Sequence, residues 1–188
     1  MALTDRFDDA LAYASRLHRN QIRKGSGIPY VSHLLGVASI ALELGADEDQ
    51  AIAALLHDAV EDQGGSAQLA AIRERFGDRV AEIVDHCTDA DCEPKPPWRA
   101  RKEAYLSSLA AKPEASLLVS LADKTHNARA ILTDLSEHGE SVWERFTGGK
   151  TGSLWYYDAL AQKFREHLPG PGAERFAELV ADMHSKAA

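Results

Sequence analysis

Apolar residues recur at helical spacing along nearly the whole chain. Phe7, Ala10, Leu11, Ala14 and Leu17 fall at three- and four-residue steps, which is one face of an amphipathic helix. A second helix is predicted through Leu34, Leu35, Ala38 and Leu42, capped by Ser32 and stopped at Gly45. Asp47 and Gln50 have the spacing of a capping box, which starts a third helix at Glu48 and carries it to about Val60. A fourth starts at Ser66 and ends at Phe76-Gly77, and Ile83 and Val84 sit on a fifth. The stretch from Asp89 to Pro97, rich in Pro and Asp, reads as a loop. Trp98 to Ala110 then reads as a helix of mixed charge. Pro113 suits the first turn of the next, which runs through Leu117, Leu118, Leu121 and Ala122 to Leu132. Gly148 to Gly152 breaks the pattern as a flexible loop, and Trp155 to His167 and Pro171 to His184 are the last two helices. No alternating β pattern, internal repeat or low-complexity tract competes. The expectation is an all-α fold, residues 1–188 forming a single helical-bundle domain of about eight to ten helices.

Composition narrows the class without changing that picture. With 188 residues, 45% hydrophobic and 27% charged, the chain has the make-up of an ordinary globular domain. There is no apolar run of about 18 residues, so no membrane partner is expected. The polar start, Leu3-Thr4-Asp5-Arg6, is no signal peptide, and a cytoplasmic location is expected. A net charge of -8 argues against nucleic acid, which favours a basic face, but leaves room for a small anionic ligand. Cys87 and Cys92 lack the second pair that a structural zinc site needs and read as two reduced thiols.

Candidate chemistry concentrates at His57-Asp58-Ala59-Val60-Glu61-Asp62, which follows the apolar run Ile52 to Leu56. If one helix continues through it, three- and four-residue spacing puts an imidazole and three carboxylates on a shared face. Packed like charges near a core repel one another and lose hydration, and a divalent cation removes both problems. Acidic groups at a helix C-terminus also oppose its dipole, so a merely solvated helix end explains the run poorly. His33 opens the second helix. Asp123 ends the apolar run Leu117 to Ala122, with Asn127 four residues on.

The order His, His-Asp, Asp resembles the HD superfamily, and within it the hydrolase domain of alarmone-metabolising proteins and their small stand-alone relatives. The resemblance rests on His18 to Lys24, Gly27 to His33, Ala53 to Asp58, Glu61-Asp62, Phe76-Gly77, and Leu121 to Lys124 with Asn127, and is strongest over 7–135. It implies that His33, His57, Asp58 and Asp123 hold a metal, with Mn²⁺ favoured and other divalent transition metals compatible with the donors. It implies that Glu61 and Asp62 handle the attacking water, and that Arg23, Lys24, Tyr30 and Asn127 contact the substrate. The implied activity is hydrolysis of a purine nucleoside 3′-pyrophosphate, such as guanosine tetraphosphate or pentaphosphate or an adenosine analogue, to a nucleoside di- or triphosphate and pyrophosphate. A chain of this length is expected only to degrade such a nucleotide. The alternatives are an HD nucleotidase or NADPH 2′-phosphatase, and a non-catalytic nucleotide-binding module. The oligomeric state stays open. This chain departs from the family pattern at Leu34, commonly Pro, at Gln63, commonly Thr, and at Ser120, commonly Lys. Gly149-Lys150-Thr151 resembles the end of a Walker A motif, but Glu144 stands where its first Gly belongs. Lys150 and the basic run Lys95, Arg99, Arg101 and Lys102 are further candidates for a phosphate contact. Of the other histidines, His126 sits beside Asn127 and so nearest the expected pocket.

Overall fold

The computed structural model describes residues 2–88, 94 and 96–187. Among them are ten α-helices and no strand, only an isolated bridge between Ile22 and Pro29, so the all-α expectation holds. The helices are α1 (Asp5–Leu17), α2 (Val31–Glu43), α3 (Glu48–Leu56), α4 (Ala59–Gln63), α5 (Gly65–Phe76), α6 (Asp78–Cys87), α7 (Trp98–Ser108), α8 (Glu114–His138), α9 (Gly149–His167) and α10 (Pro171–Lys186). No helix among the described residues is long and apolar enough to cross a membrane.

Two apolar clusters make the core. The first joins α1 to α6 with Val119 and Ala122 of α8, and the second joins α7, α9 and α10 with Leu117, Leu121, Ala128, Ile131 and Leu135 of α8. Helix α8 therefore presents different faces to two cores. Helix α3 is buried from Gln50 to Leu56 on every side, as its unbroken apolar run requires, and packs against α1, α2, α6 and α8.

Local signals explain most boundaries. The Asp47–Gln50 capping box forms, with reciprocal bonds of 3.0 and 2.8 Å. Thr4 caps α1 by accepting from the Arg6 amide. Four boundaries differ from the sequence reading. Helix α2 begins at Val31, not after Ser32, because the amides of Ser32 and His33 bond back to the carbonyls of Pro29 and Tyr30 and close the first turn without a side-chain cap. The third helix does not reach Val60: it stops at Leu56, turns through His57 and Asp58, and resumes as α4. Helix α8 runs beyond Leu132 to His138, where Gly139 at φ 61° ends it. Gly149 to Gly152 form the first turn of α9 rather than a loop, preceded by a 3-10 turn over Gly139–Arg145 and not by the strand that a Walker motif needs. Cys87 is a free thiol, whereas Cys92, Lys95 and most of the predicted 89–97 loop lie outside the described residues.

Candidate metal centre

The interruption between α3 and α4 makes the centre. On a straight helix adjacent side chains diverge by about 100°, so His57 and Asp58 could not meet at one point. Here the helix is interrupted at His57 and Asp58, where Asp58 takes φ -95° and ψ -1°, and Asp58 Oδ2 lies 3.0 Å from His57 Nε2. The same break means that His57, Asp58, Glu61 and Asp62 do not share a continuous helix face, contrary to the sequence reading. His57 Nδ1 donates to the Ala54 carbonyl at 2.8 Å, which fixes the tautomer and leaves Nε2 as a lone pair.

His33 arrives from the first turn of α2 and Asp123 from the middle of α8. His33 Nε2 stands 3.5 Å from Asp58 Oδ2 and 3.3 Å from Asp123 Oδ1, and His57 Nε2 stands 3.6 Å from that same Asp123 oxygen. His33, His57 and Asp58 form the tight set, with donor atoms within 4.8 Å of one another, and Asp123 approaches both imidazoles from the facing helix. Both histidines are 2% exposed.

The donors fit a divalent cation. His57 Nε2 is buried and meets no hydrogen-bond geometry, although Asp58 Oδ2 and Asp123 Oδ1 lie 3.0 and 3.6 Å from it. Donors about 2.1 Å from one ion stand roughly 3.0 Å apart at right angles and roughly 3.4 Å apart at tetrahedral angles. The separations of 3.0 to 3.6 Å begin in that range and run a little beyond it, with Asp123 the outlying member. Electrostatics agree. Without an ion, burial disfavours charge on His57, but Asp58 and Asp123 outweigh it and push the His57 pKa well above the imidazole norm; a cation would take the place of that proton. Burial also disfavours charge on Asp58, but the His57 and His33 imidazoles in turn outweigh it and hold its pKa well below the carboxylate norm. Burial likewise opposes charge on Asp123, and Lys124 leads the groups that pull its pKa down.

A second layer holds these ligands. The Tyr30 hydroxyl donates to Asp58 Oδ2 at 2.6 Å, and burial followed by the Asp58 charge raises its pKa, so it remains a donor. Lys124 Nζ lies 2.7 Å from Asp123 Oδ2, and Asn127 Nδ2 donates to Asp123 Oδ1 at 2.6 Å. Arg23 donates to Asn127 Oδ1 at 3.0 Å. His126 Nδ1 sits 2.9 Å from His33 Nδ1; burial, then His33 and Arg23, bring its pKa down to about 4, and the neutral ring can accept from His33. Gly36 makes room for it, since a Cβ there would stand 2.1 Å from His126 Cδ2.

The ligands His33, Asp58 and Asp123 open onto a cavity of about 640 Å³. Arg23, Lys24, Tyr30 and Asn127 all line it, as do Lys102, Lys124, His126, Arg145, Trp98, Tyr156 and Tyr157. Five basic side chains thus face a cavity in a protein of net charge -8. Glu61 and Asp62, on α4, stand outside that lining. The Asp62 carboxylate accepts from Gln21 at 2.8 Å, and burial, then Asp58 and Glu61, raise its pKa. Lys150 turns away from the cavity to Glu140 and the Ala187 carbonyl. Arg99 lies 3.2 Å over the Trp155 ring, and of the basic run Lys102 lines the cavity. Sequence reasoning assigned no role to Lys124, Tyr156 or Arg145. Adjacency to Asp123 was a signal for Lys124; the other two come from helices that carry no donor.

The profile of the HD domain family matches residues 10–153. A guanosine-3′,5′-bis(diphosphate) 3′-pyrophosphohydrolase of Haemophilus influenzae is 38% identical over 120 residues, 61% of this chain and 17% of that protein. The bifunctional (p)ppGpp synthase/hydrolase SpoT of Escherichia coli is 35% identical over 132 residues, 67% of this chain and 18% of that protein. The chain thus spans less than a fifth of the length of these curated relatives. Among solved structures, a metazoan ortholog of SpoT described as hydrolysing ppGpp superposes with a TM-score of 0.80 at 25% identity, covering 99% of both chains. A protein of Listeria monocytogenes superposes with a TM-score of 0.70 at 31% identity, over 79% of this chain and 96% of that one.

Proposed function

Because the chain belongs to the HD domain family, we propose that it is a divalent-metal-dependent phosphohydrolase acting in the cytoplasm on purine nucleoside 3′-pyrophosphates, with guanosine 3′,5′-bis(diphosphate) the favoured substrate. The observation that carries the reading is the clustering of His33, His57 and Asp58, with Asp123 beside both imidazoles, at the edge of a cavity lined by five basic side chains. The names of the relatives support the choice of substrate.

His33, His57, Asp58 and Asp123 hold the cation, with Mn²⁺ favoured for a set of imidazole and carboxylate donors. When bound, it supplies Lewis acidity toward a phosphoryl oxygen and lowers the pKa of water. The chain's own groups do the rest. Arg23 and Lys24 offset the charge of the substrate phosphates, and Asn127 ties Arg23 to the ligand Asp123. Tyr30 orients Asp58 and presents its ring to the cavity. Glu61 and Asp62 stand outside the cavity lining but follow Asp58 on α4, and from that side one of them orients the attacking water and takes its proton, Gln21 steadying Asp62. Water oxygen bonds to the phosphorus attached at O3′, the P–O3′ bond breaks, and pyrophosphate leaves from a nucleotide with a free 3′-hydroxyl.

Incubation of Mn²⁺-loaded protein with guanosine and adenosine 3′-pyrophosphates, NADPH and nucleoside monophosphates, with products separated by ion exchange, tests the proposal. Intact pyrophosphate released from a 3′-pyrophosphate, and abolished by chelation, is expected. Cleavage of NADPH or a monophosphate with neither 3′-pyrophosphate turned over overturns it.

A further inference from the structure

We infer that Trp98, seated in a notch between Gly148 and Gly152, is a positioning residue for substrate: it fixes the α7 wall of the cavity and thereby sets the affinity for the phosphates that are not cleaved. The inference rests on the nucleotide reading above and deepens it.

The glycines are the first observation. Gly148 has φ -78° and ψ -9°, a conformation open to any residue, so its backbone does not call for glycine. Its surroundings do. A Cβ on Gly148 would stand 2.6 Å from Trp98 Cη2 and 2.8 Å from Cζ2, and one on Gly152 would stand 3.2 Å from Cζ3. The indole edge fills the space that two side chains one turn apart would occupy. It has little freedom to move aside, because Trp155 and Tyr156 meet it edge-on, with ring centres 6.3 and 6.4 Å away. Arg99 stacks on Trp155 from the next position, which clamps the first turn of α7 to the first turns of α9. The segment that resembled part of a phosphate loop is thus a socket for a tryptophan.

The second observation is what the clamp positions. Trp98 and Lys102 are four residues apart, share a face of α7, and both line the cavity. Lys102 Nζ lies 5.1 Å from the centre of the Tyr156 ring, which also lines it. Arg23 is linked through Asn127 to the ligand Asp123 and so belongs beside the phosphate under attack. Lys102 comes from a helix that supplies none of the four donors. A nucleoside 3′,5′-bis(diphosphate) has two separate anionic ends, and a cation on this second wall suits the end that keeps its phosphates.

The test compares guanosine 3′,5′-bis(diphosphate) with guanosine 3′-diphosphate bearing a 5′-hydroxyl, using Mn²⁺-loaded wild-type, Trp98→Leu, Gly148→Ala, Lys102→Gln and the Trp98→Leu/Gly148→Ala double variant. Each single variant is expected to raise KM for the bis(diphosphate) about tenfold with kcat within about twofold, and to leave KM for the 5′-hydroxyl substrate within about twofold. In the Trp98→Leu background Gly148→Ala adds nothing, because the ring it would strike is gone. Gly148→Ala adds only a methyl group at a permissive backbone position and serves if Trp98→Leu does not fold. Unchanged KM in the folded variants overturns the inference, and so does an equal rise for both substrates or a fall in Tm and kcat alone. Wild-type protein that cleaves neither substrate overturns the nucleotide reading and this inference with it.

Discussion

A histidine whose Nδ1 is bonded to its own helix and whose Nε2 is buried without a hydrogen bond has one lone pair and no neutral partner for it. His57 is in that position, with Asp58 beside it, so removing either leaves the remaining donors too few to bind tightly. His57→Ala and Asp58→Ala are expected to lose Mn²⁺ and turnover together, whereas Glu61→Gln, outside the donor set, keeps the metal and loses turnover. Elemental analysis of purified variants alongside kcat measures both, and a tightly bound ion retained by His57→Ala or Asp58→Ala would reject the ligand assignment. At this scale much was legible from spacing and residue type. His33, His57 and Asp58 come within 4.8 Å of one another with Asp123 beside both imidazoles, and Arg23, Lys24, Tyr30 and Asn127 line one cavity. The bond from Tyr30 to Asp58, the seat of His126 against Gly36 and the partial burial of Lys124 were not legible, because each depends on how distant helices pack.

Helix periodicity located the elements but not the interruption that matters most. Ala51 to Val60 is apolar enough to read as one helix, and the one propensity signal against it is Asp58, a poor helix former that takes the N-cap position of α4. The break is held from its far side. Gly64 stands at φ 148° and Gly65 at φ 58°, which closes α4 after five residues and starts α5 at once. A side chain fits such angles poorly, so Gly64→Ala is expected to cost about 1–2 kcal/mol of stability. Because α4 carries Glu61 and Asp62, that variant should also lose kcat while retaining its metal. Denaturant unfolding and steady-state kinetics check both, and wild-type values would show that the turn does not hold α4 in place.

The four candidate donors lie on α2, the α3–α4 turn and α8, so a cation held by all four would cross-link segments distant in sequence. Binding to the folded chain alone stabilises it by mass action, about 2.7 kcal/mol at a hundredfold excess over Kd. For a chain of this size that is a rise in Tm of roughly 5–10 °C, removed by chelation and read by calorimetry. A Tm indifferent to Mn²⁺ and chelator would count against a metal shared among these helices. Helix α8 adds a consequence of its own. Its middle turns carry Val119 and Ala122 into one apolar cluster and Leu121 and Ala128 into the other. Loosening of either cluster alone leaves those turns packed against the other, so their amide protons are expected to be among the slowest to exchange with deuterium, and early exchange there would count against this packing. Asp123, Lys124, His126 and Asn127 lie in that stretch, which would hold the candidate donor on α8 in register through local opening elsewhere.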